Sequence, residues 1–142
     1  MKLINFEIAN DNIALTLGDY YFDLHNIYDF ISFEYRVAKK QFFILWERND
    51  GNWVEKNLPK NLKLNFSNTS FLKIKENEKD EFVKDDSCLD AIGFAEISVR
   101  ENMDSWLCEG LEDDKSDMIL IFLNGQTIKI NAETVGLEIS ND

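Results

Sequence analysis

The stretch from Met118 to Ile130, which reads MILIFLNGQTIKI, decides the fold class of this chain. Its first part, Met118 to Leu123, is continuously apolar, and the chain returns through Thr127 to Ile130. Between them, Asn124 and Gly125 form the residue pair typical of a two-residue type I′ turn, which needs positive φ at both positions. We therefore predict an antiparallel β-hairpin at this point.

Strand patterns recur along most of the chain. Asp50 and Gly51 predict a further hairpin that returns at Trp53 and Val54. Repeated hairpins imply antiparallel pairing, so we predict a mainly β protein (a β-rich α+β fold), built as an antiparallel β-sandwich or a partly open barrel. The other predicted strands lie within residues 4–8, 13–17, 31–37, 41–48, 62–66, 71–75, 94–99 and 135–139.

One or two short helices are also expected. Residues 88–92 follow the capping sequence Asp-Asp-Ser at 85–87 and end at a glycine, which predicts a short helix. Residues 101–109 carry apolar side chains at helical spacing and also end at a glycine. The length of 142 residues predicts one globular domain over residues 1–142.

The charge balance is the most unusual property of the composition. Twenty-seven acids face fifteen bases, which gives a formal net charge of −12. Such a charge disfavours nucleic acid and anionic membrane surfaces as partners, and it favours rapid capture of a basic protein. We expect neither a signal peptide nor a bilayer span, and hence a cytoplasmic protein. An exposed sheet edge would also offer a route to a homodimer.

The acids are concentrated in the second half of the chain, from residue 76 to residue 117, whereas many of the bases lie between residues 36 and 75. Two acidic segments lie within this range, at residues 76–86 and 112–117, and we expect them to be solvated loops that contact a basic partner. The candidate contact residues are Glu76, Glu78, Asp80, Glu81, Asp85, Asp86, Glu112, Asp113, Asp114 and Asp117.

Motifs for catalysis, metals and cofactors are weak. His25 is the one histidine, and Asp23 would share its face on a strand, but no serine or cysteine lies in a nucleophile elbow. The glycines are scattered and form no phosphate loop. Cys88 and Cys108 match no zinc spacing, and the sequence leaves open whether they form a disulfide. We predict no catalytic residue, no metal and no cofactor.

Aromatic residues suggest an alternative function. The chain has eleven Phe, four Tyr and three Trp. Trp46 and Trp53 flank the turn at Asp50 and Gly51, and with Tyr35 they would form a ligand-binding or carbohydrate-binding surface if their rings were exposed. Core packing is the competing explanation for the same residues.

The segment from Leu62 to Lys75, LKLNFSNTSFLKIK, together with the acidic segments, gives the chain a recognisable layout. The layout resembles that of small acidic bacterial immunity-type proteins of toxin systems, and of uncharacterised single-domain proteins of the same style. This resemblance implies a non-enzymatic cytoplasmic protein that neutralises a basic toxin or effector domain. It assigns a role to no individual residue.

Overall fold

The structure is a computed structural model that describes residues 1–76, 88–108 and 115–142. These residues are mostly β-strand and contain no helix of seven or more residues, so the predicted mainly β fold is confirmed. None of the described helical segments has the length and apolar character needed to cross a bilayer. The strands β1 to β10 are Lys2–Leu3, Glu7–Ile8, Ala14–Leu17, Tyr20–Asp23, Tyr28–Arg36, Gln41–Arg48, Asn61–Lys75, Leu89–Glu96, Ser116–Phe122 and Thr127–Ser140, and the short 3₁₀ turns are Val37–Lys39 and Ile97–Val99.

The strands form one large sheet and one small sheet. The large sheet has the order β5-β6-β7-β10-β9-β8, and every neighbouring pair in it is antiparallel. The long strand β10 holds β9 beside residues 127–130 and holds β1, in parallel, beside residues 134–135. The small sheet has the order β2-β3-β4.

Three β-bulges accompany the curvature of the large sheet, which curls into a half-barrel. Ile31 is an extra residue of β5 relative to β6, Ser70 of β7 relative to β10, and Asp90 of β8 relative to β9. A bulge bends its strand and increases the local twist. The partly open barrel is therefore the form that this antiparallel sheet takes.

The core lies on the concave side of the half-barrel. Alternate residues of the strands point to this side, as the period of two requires, and they are almost fully buried. The small sheet packs against the same core through Phe6, Leu15 and Phe22. The large sheet contributes Phe42, Ile44, Trp46, Leu62, Leu64, Phe66, Leu89, Ile92, Met118, Leu120, Phe122, Ile128, Ile130, Val135 and Leu137.

Two asparagines join the N-terminal part of the chain to the large sheet. The side chain of Asn5 accepts a hydrogen bond from the Leu137 N–H and donates one to the Leu137 carbonyl, both at 2.8 Å. Asn12, at φ 60, donates its side-chain amide to the Ile92 carbonyl at 3.0 Å, and its own carbonyl accepts from the Ile92 N–H at 2.7 Å. Each asparagine thus satisfies both backbone hydrogen-bonding groups of one residue at its sheet contact, as a neighbouring strand would.

Both predicted helices are wrong. Residues 88–92 enter β8, where pairing with β9 satisfies the backbone groups that a helix would have satisfied internally. Residues 101–108 form turns, because side chains of the large sheet bind this segment at several points, as described below.

The two predicted hairpin turns differ in outcome. β9 and β10 form the predicted hairpin, but only Gly125, at φ 93, has positive φ, and the Gly125 N–H bonds to the Phe122 carbonyl. The turn is therefore longer than a two-residue type I′ turn. The return strand predicted at Trp53 is wrong, because strand structure resumes only at Asn61.

We predict that Asn5→Ala lowers the free energy of unfolding by about 1–3 kcal/mol, because the N–H and carbonyl of Leu137 both lose their partner. Urea denaturation of the purified variant measures this change. Asn52→Ala, at an exposed loop position, is the matched control and should lie within about 0.5 kcal/mol of wild type. Equal stabilities for the two variants would contradict this role of Asn5.

Candidate functional site

The outer surface of the small sheet is acidic and carries the exposed Tyr21, while Tyr20 is exposed on the Phe22 side at the tip of the hairpin. Glu7, Thr16 and Tyr21 form one cross-strand row on the side opposite to the buried Leu15 and Phe22. Tyr20 and Tyr21 are 52% and 46% exposed. We use the name acidic surface for these exposed side chains of the small sheet and its turns: Glu7, Asp11, Asp19, Tyr20 and Tyr21.

Tyr21 and Asp11 form the best-defined contact on the acidic surface. The Tyr21 hydroxyl donates a hydrogen bond to Oδ2 of Asp11, while Oδ1 accepts from the Ile13 N–H at 3.1 Å. The bond to Asp11, followed by burial and by the nearby charges of Asp11 and Asp23, raises the pKa of Tyr21 to about 12. Tyr21 therefore remains a neutral hydrogen-bonded phenol at physiological pH, and its ring is held in place.

A cleft of about 500 Å³ adjoins the acidic surface. Its walls are residues 3–7 on one side and Thr16 and Gly18 of the small sheet on the other. Ile4 is 55% exposed and Glu7 lies on the rim, so an apolar wall and a carboxylate occur together. A lysine or arginine side chain has the matching character, with an apolar stem and a cationic head.

The sequence carries a signal for this surface that a search for runs of acids does not find. No lysine or arginine occurs between Lys2 and Arg36, although this interval contains six acids. None of the ion pairs formed by the described residues includes an acid of the small sheet. The absence of bases, rather than a run of acids, marks the place where negative charge remains uncompensated.

Basic side chains elsewhere in the described structure are largely engaged in internal contacts. Arg48 donates to the carbonyls of Lys56 and Leu58. The described ion pairs are Arg36–Glu34, Lys60–Glu47, Lys63–Glu138, Lys73–Glu101, Lys75–Asp104 and Arg100–Asp117. Several cations thus connect parts of the fold, which leaves the acids of the small sheet uncompensated.

A buried polar cluster holds residues 97–105 against the face of the large sheet that points away from the core. Lys129 is fully buried and donates to the carbonyls of Val99 at 3.0 Å and Asn102 at 2.7 Å. Burial lowers the pKa of Lys129, and the charge of Asp117 opposes this effect. Because both acceptors are backbone carbonyls of one segment, we assign Lys129 a structural role.

Asp117 belongs to this buried cluster and not to an exposed loop. It lies in β9 with 0% exposure and accepts two hydrogen bonds from Arg100, at 2.6 and 3.1 Å, and one from Asn131 at 2.8 Å. The guanidinium of Arg100 also lies 4.2 Å from the centre of the Phe71 ring. Asp117 is therefore unavailable to a partner, and its selection as a contact residue was wrong.

The other predicted contact residues fall into two groups. Glu76 is exposed at the end of β7. The remaining candidates, Glu78, Asp80, Glu81, Asp85, Asp86, Glu112, Asp113 and Asp114, lie outside the described residues. Their selection remains a prediction.

The three aromatic candidates do not form one surface. Trp46 is fully buried within the core, so it cannot stack on a ligand and its selection was wrong. Trp53 is 70% exposed, and its ring covers Gly51 so closely that a Cβ there would lie 2.3 Å from a ring atom. Tyr35 is partly exposed on β5 and lies 6.2 Å from the Phe42 ring, between centroids.

Asp23 and His25 do not form a catalytic pair. The Asp23 carboxylate accepts hydrogen bonds from the backbone of His25 and from the backbone and side chain of Asn26, so it caps a turn. Nδ1 of His25 lies 2.5 Å from the Leu89 carbonyl and 3.7 Å from Sγ of Cys88. Neither Cys88 nor Cys108 forms a disulfide in the part of the chain that the structure describes. Among the described residues, no three side chains of metal-binding type are grouped as a metal site requires.

We predict that Asp11→Asn returns the Tyr21 pKa from about 12 toward 10, because its largest cause, the bond to the carboxylate, is removed. The unfolded chain loses this proton from about pH 10. The contribution of the Tyr21–Asp11 bond to the free energy of unfolding is therefore complete below pH 10 and is lost as the pH rises toward 12. Tyrosine ¹³Cζ shifts measured against pH test the change. Asp19→Asn removes another acid of the acidic surface that is not among the causes of the raised Tyr21 pKa, so it should leave the Tyr21 titration as in wild type. A shift there instead would contradict the assignment.

The chain was compared with models of known protein families, with characterised proteins and with solved structures, and none of the three comparisons returned a match. No residue therefore takes a role from a relative. The acidic surface and its cleft are the features of the described structure from which a function is best inferred.

Proposed function

We propose that this protein is a non-enzymatic, cytoplasmic binding protein that engages a basic protein domain and inhibits it, as an immunity protein does. The observation that carries the proposal is the uncompensated acidic surface with its exposed tyrosines. Tyrosine is enriched at the energetic centres of protein interfaces, and clustered acids steer a cationic partner toward them. The resemblance to acidic immunity-type proteins is consistent with this proposal.

The arrangement supports specific roles for the residues of the acidic surface. Tyr21, fixed by Asp11, would supply rigid contact area at little entropic cost. Glu7 and Ile4, at the cleft, would receive the head and stem of a lysine or arginine of the partner. Asp19 and Tyr20 would extend the contact at the tip of the hairpin. The acids at residues 76–86 and 112–114 would add attraction at longer range, as the sequence predicts.

We predict that the tagged protein captures a basic partner from its native cells and loses it at high salt, because the attraction between exposed charges is screened. Mass spectrometry identifies the partner, and surface plasmon resonance with the purified partner measures the association rate. The double variant Asp11→Lys with Asp19→Lys should slow association by on the order of tenfold or more. Asp113→Lys with Asp114→Lys tests the segment selected from the sequence.

The matched control is Asp50→Lys with Glu55→Lys, which changes the net charge equally at exposed loop positions. This control should retain most of the association rate, because the reversed charges lie in the loop between β6 and β7 and not on the small sheet. If both double variants slowed association equally, only the total charge would matter and the proposed surface would be wrong. Failure to capture any basic partner would contradict the proposed function itself.

A second candidate function is a carbohydrate-binding module, and the exposed ring of Trp53 is the observation that favours it. The ring lies against Gly51 on one side and is largely exposed. A fixed aromatic ring of this kind is a suitable platform for an apolar face of a sugar. Because Trp46 is buried, this candidate depends on Trp53 without its predicted companion.

If this candidate is correct, soluble cello- or chito-oligosaccharides should raise the melting temperature of the wild-type protein, and Trp53→Ala should abolish the shift. Trp106→Ala removes an equally exposed tryptophan and is the control. Trp106→Ala should keep the shift, because Trp106 lies in a different segment. The absence of any shift in the wild type would remove support for carbohydrate binding while leaving the partner-capture experiment unaffected.

A further inference from the structure

The two edges of the large sheet differ in whether other parts of the chain cover their backbone hydrogen-bonding groups. The β8 edge is covered by groups from other parts of the chain. A Cβ at Gly93 would lie 2.8 Å from Leu107, which shows how closely this edge is packed. The contacts that cover it are His25 Nδ1 to the Leu89 carbonyl, Asn12 to both backbone groups of Ile92, and the Cys108 N–H to the Phe94 carbonyl.

The β5 edge is open in the described structure. β5 ends the strand order, and no strand among the described residues pairs with its outer edge. It also carries exposed apolar side chains, with Phe33 40% and Tyr35 37% exposed. Proteins usually block or cover such an edge, because it offers both unpaired backbone groups and apolar surface to another strand.

The bulge at Ile31 determines which β5 side chains share a face. Phe30 and Ser32 lie opposite consecutive residues of β6, so Ile31 is the extra residue and the faces change there. Phe30, Phe33 and Tyr35 consequently fall on the core side. The residues on the opposite side are Asp29, Ser32, Glu34 and Arg36.

We propose that β5 pairs antiparallel with β5 of a second copy of this chain, with the two-fold axis at Phe33. A two-fold axis perpendicular to the sheet requires the residue pairs to be arranged symmetrically about one residue. With the bulged Ile31 left unpaired in both copies, an axis at Phe33 meets this requirement from Asp29 to Arg36. The cross-strand pairs are Asp29 with Arg36 of the second copy, Phe30 with Tyr35, Ser32 with Glu34, and Phe33 with itself, and each unequal pair occurs twice.

Charge complementarity selects this register over its neighbours. An axis at Ser32 would place Asp29 opposite Glu34, and an axis at Glu34 would place that acid opposite itself. Like charges directly opposite each other destabilise a sheet, whereas opposite charges stabilise it. An axis at Tyr35 would pair β5 with the 3₁₀ turn Val37–Lys39 instead of with a strand. An axis at Tyr35 also pairs Glu34 with Arg36, so among these four registers the axis at Phe33 is the one that both gives two oppositely charged pairs and pairs the strand from Asp29 to Arg36 with β5 of the second copy.

The present contacts of Asp29 and Arg36 within one chain leave both side chains able to pair with a second copy. Arg36 bonds to Glu34 of its own strand at 2.6 Å, but both side chains are at least half exposed, so the pair is weak and replaceable. The Asp29 carboxylate accepts one hydrogen bond, from Asn49 at 3.1 Å, and has remaining acceptor capacity. On the core side, the pairing would cover the Phe33 and Tyr35 rings. The inference does not depend on the identity of the basic partner.

A cysteine at the axis tests the register directly. In the proposed dimer, the two copies of residue 33 face each other with Cα atoms about 4.5–5.5 Å apart, which permits a disulfide. Phe33→Cys should therefore form a covalent dimer under mild oxidation, and mass spectrometry of the digest should locate the 33–33 bond. Tyr35→Cys is the control, because its two copies lie about 13 Å apart, beyond the ~7 Å limit. Equal crosslinking of both variants, or none at residue 33, would overturn the proposal.

A charge exchange tests the interaction that selects the register. Sedimentation equilibrium of the wild type should show a dimer of the 16.6 kDa chain. Arg36→Asp should weaken dimerisation by roughly tenfold or more, because each Asp29 then faces an acid. Adding Asp29→Arg to Arg36→Asp should restore it. Lys39→Asp changes the net charge by the same amount beyond the strand and should retain the dimer. A monomeric wild type, or a double variant that is not restored, would overturn the proposal.

Discussion

The antiparallel pairing of β7 with β10 runs from Lys75 opposite Thr127 to Asn61 opposite Ser140. The rest of the large sheet is attached to this pair, with β6 on the free side of β7 and with β9 and β1 on the free side of β10. The bulge at Ser70 divides both strands into two differently directed halves. One end of the pair therefore organises β5 and β6, and the other organises β8 and β9. The concave surface between them is filled by the small sheet, which presents its outer face to solvent.

The parts of the fold that the sequence predicts are those in which local pattern and tertiary environment agree. Leu62, Leu64 and Phe66 alternate in the sequence and point to the core in β7, because one face of that strand is buried. The segment at 88–92 shows the opposite case, since a local capping signal precedes residues that obtain their hydrogen bonds from β9. Residues 101–108 have helical spacing, but Lys73, Lys75 and Lys129 bind them through contacts that no local pattern contains.

The site was less accessible to sequence reasoning than the fold. A run of acids is easy to select as a contact site, yet Asp117 at the end of one run is buried and paired with Arg100. No local sequence pattern predicts this pairing, because the two residues lie in different segments. Trp46 alternates with other core residues of β6, so its burial follows from the strand period once the covered face is known. The acidic surface is defined by missing bases and by a sheet of short strands, Glu7–Ile8, Ala14–Leu17 and Tyr20–Asp23. Its exposure depends on which face the half-barrel covers, and that is a tertiary property.

The two hydrogen bonds between Asn5 and Leu137 join residues 132 positions apart, and β1 pairs with residues 134–135. During synthesis, residues near the start of the chain emerge on the order of ten seconds before the strand that completes their contacts. During that interval Phe6, Leu15 and Phe22 of the segment at residues 3–35 are not yet buried by the core of the large sheet. Because its only charges from residue 3 to residue 35 are negative, nascent copies on neighbouring ribosomes repel one another. The same distribution of charge therefore opposes association between unfinished chains until β10 is synthesised.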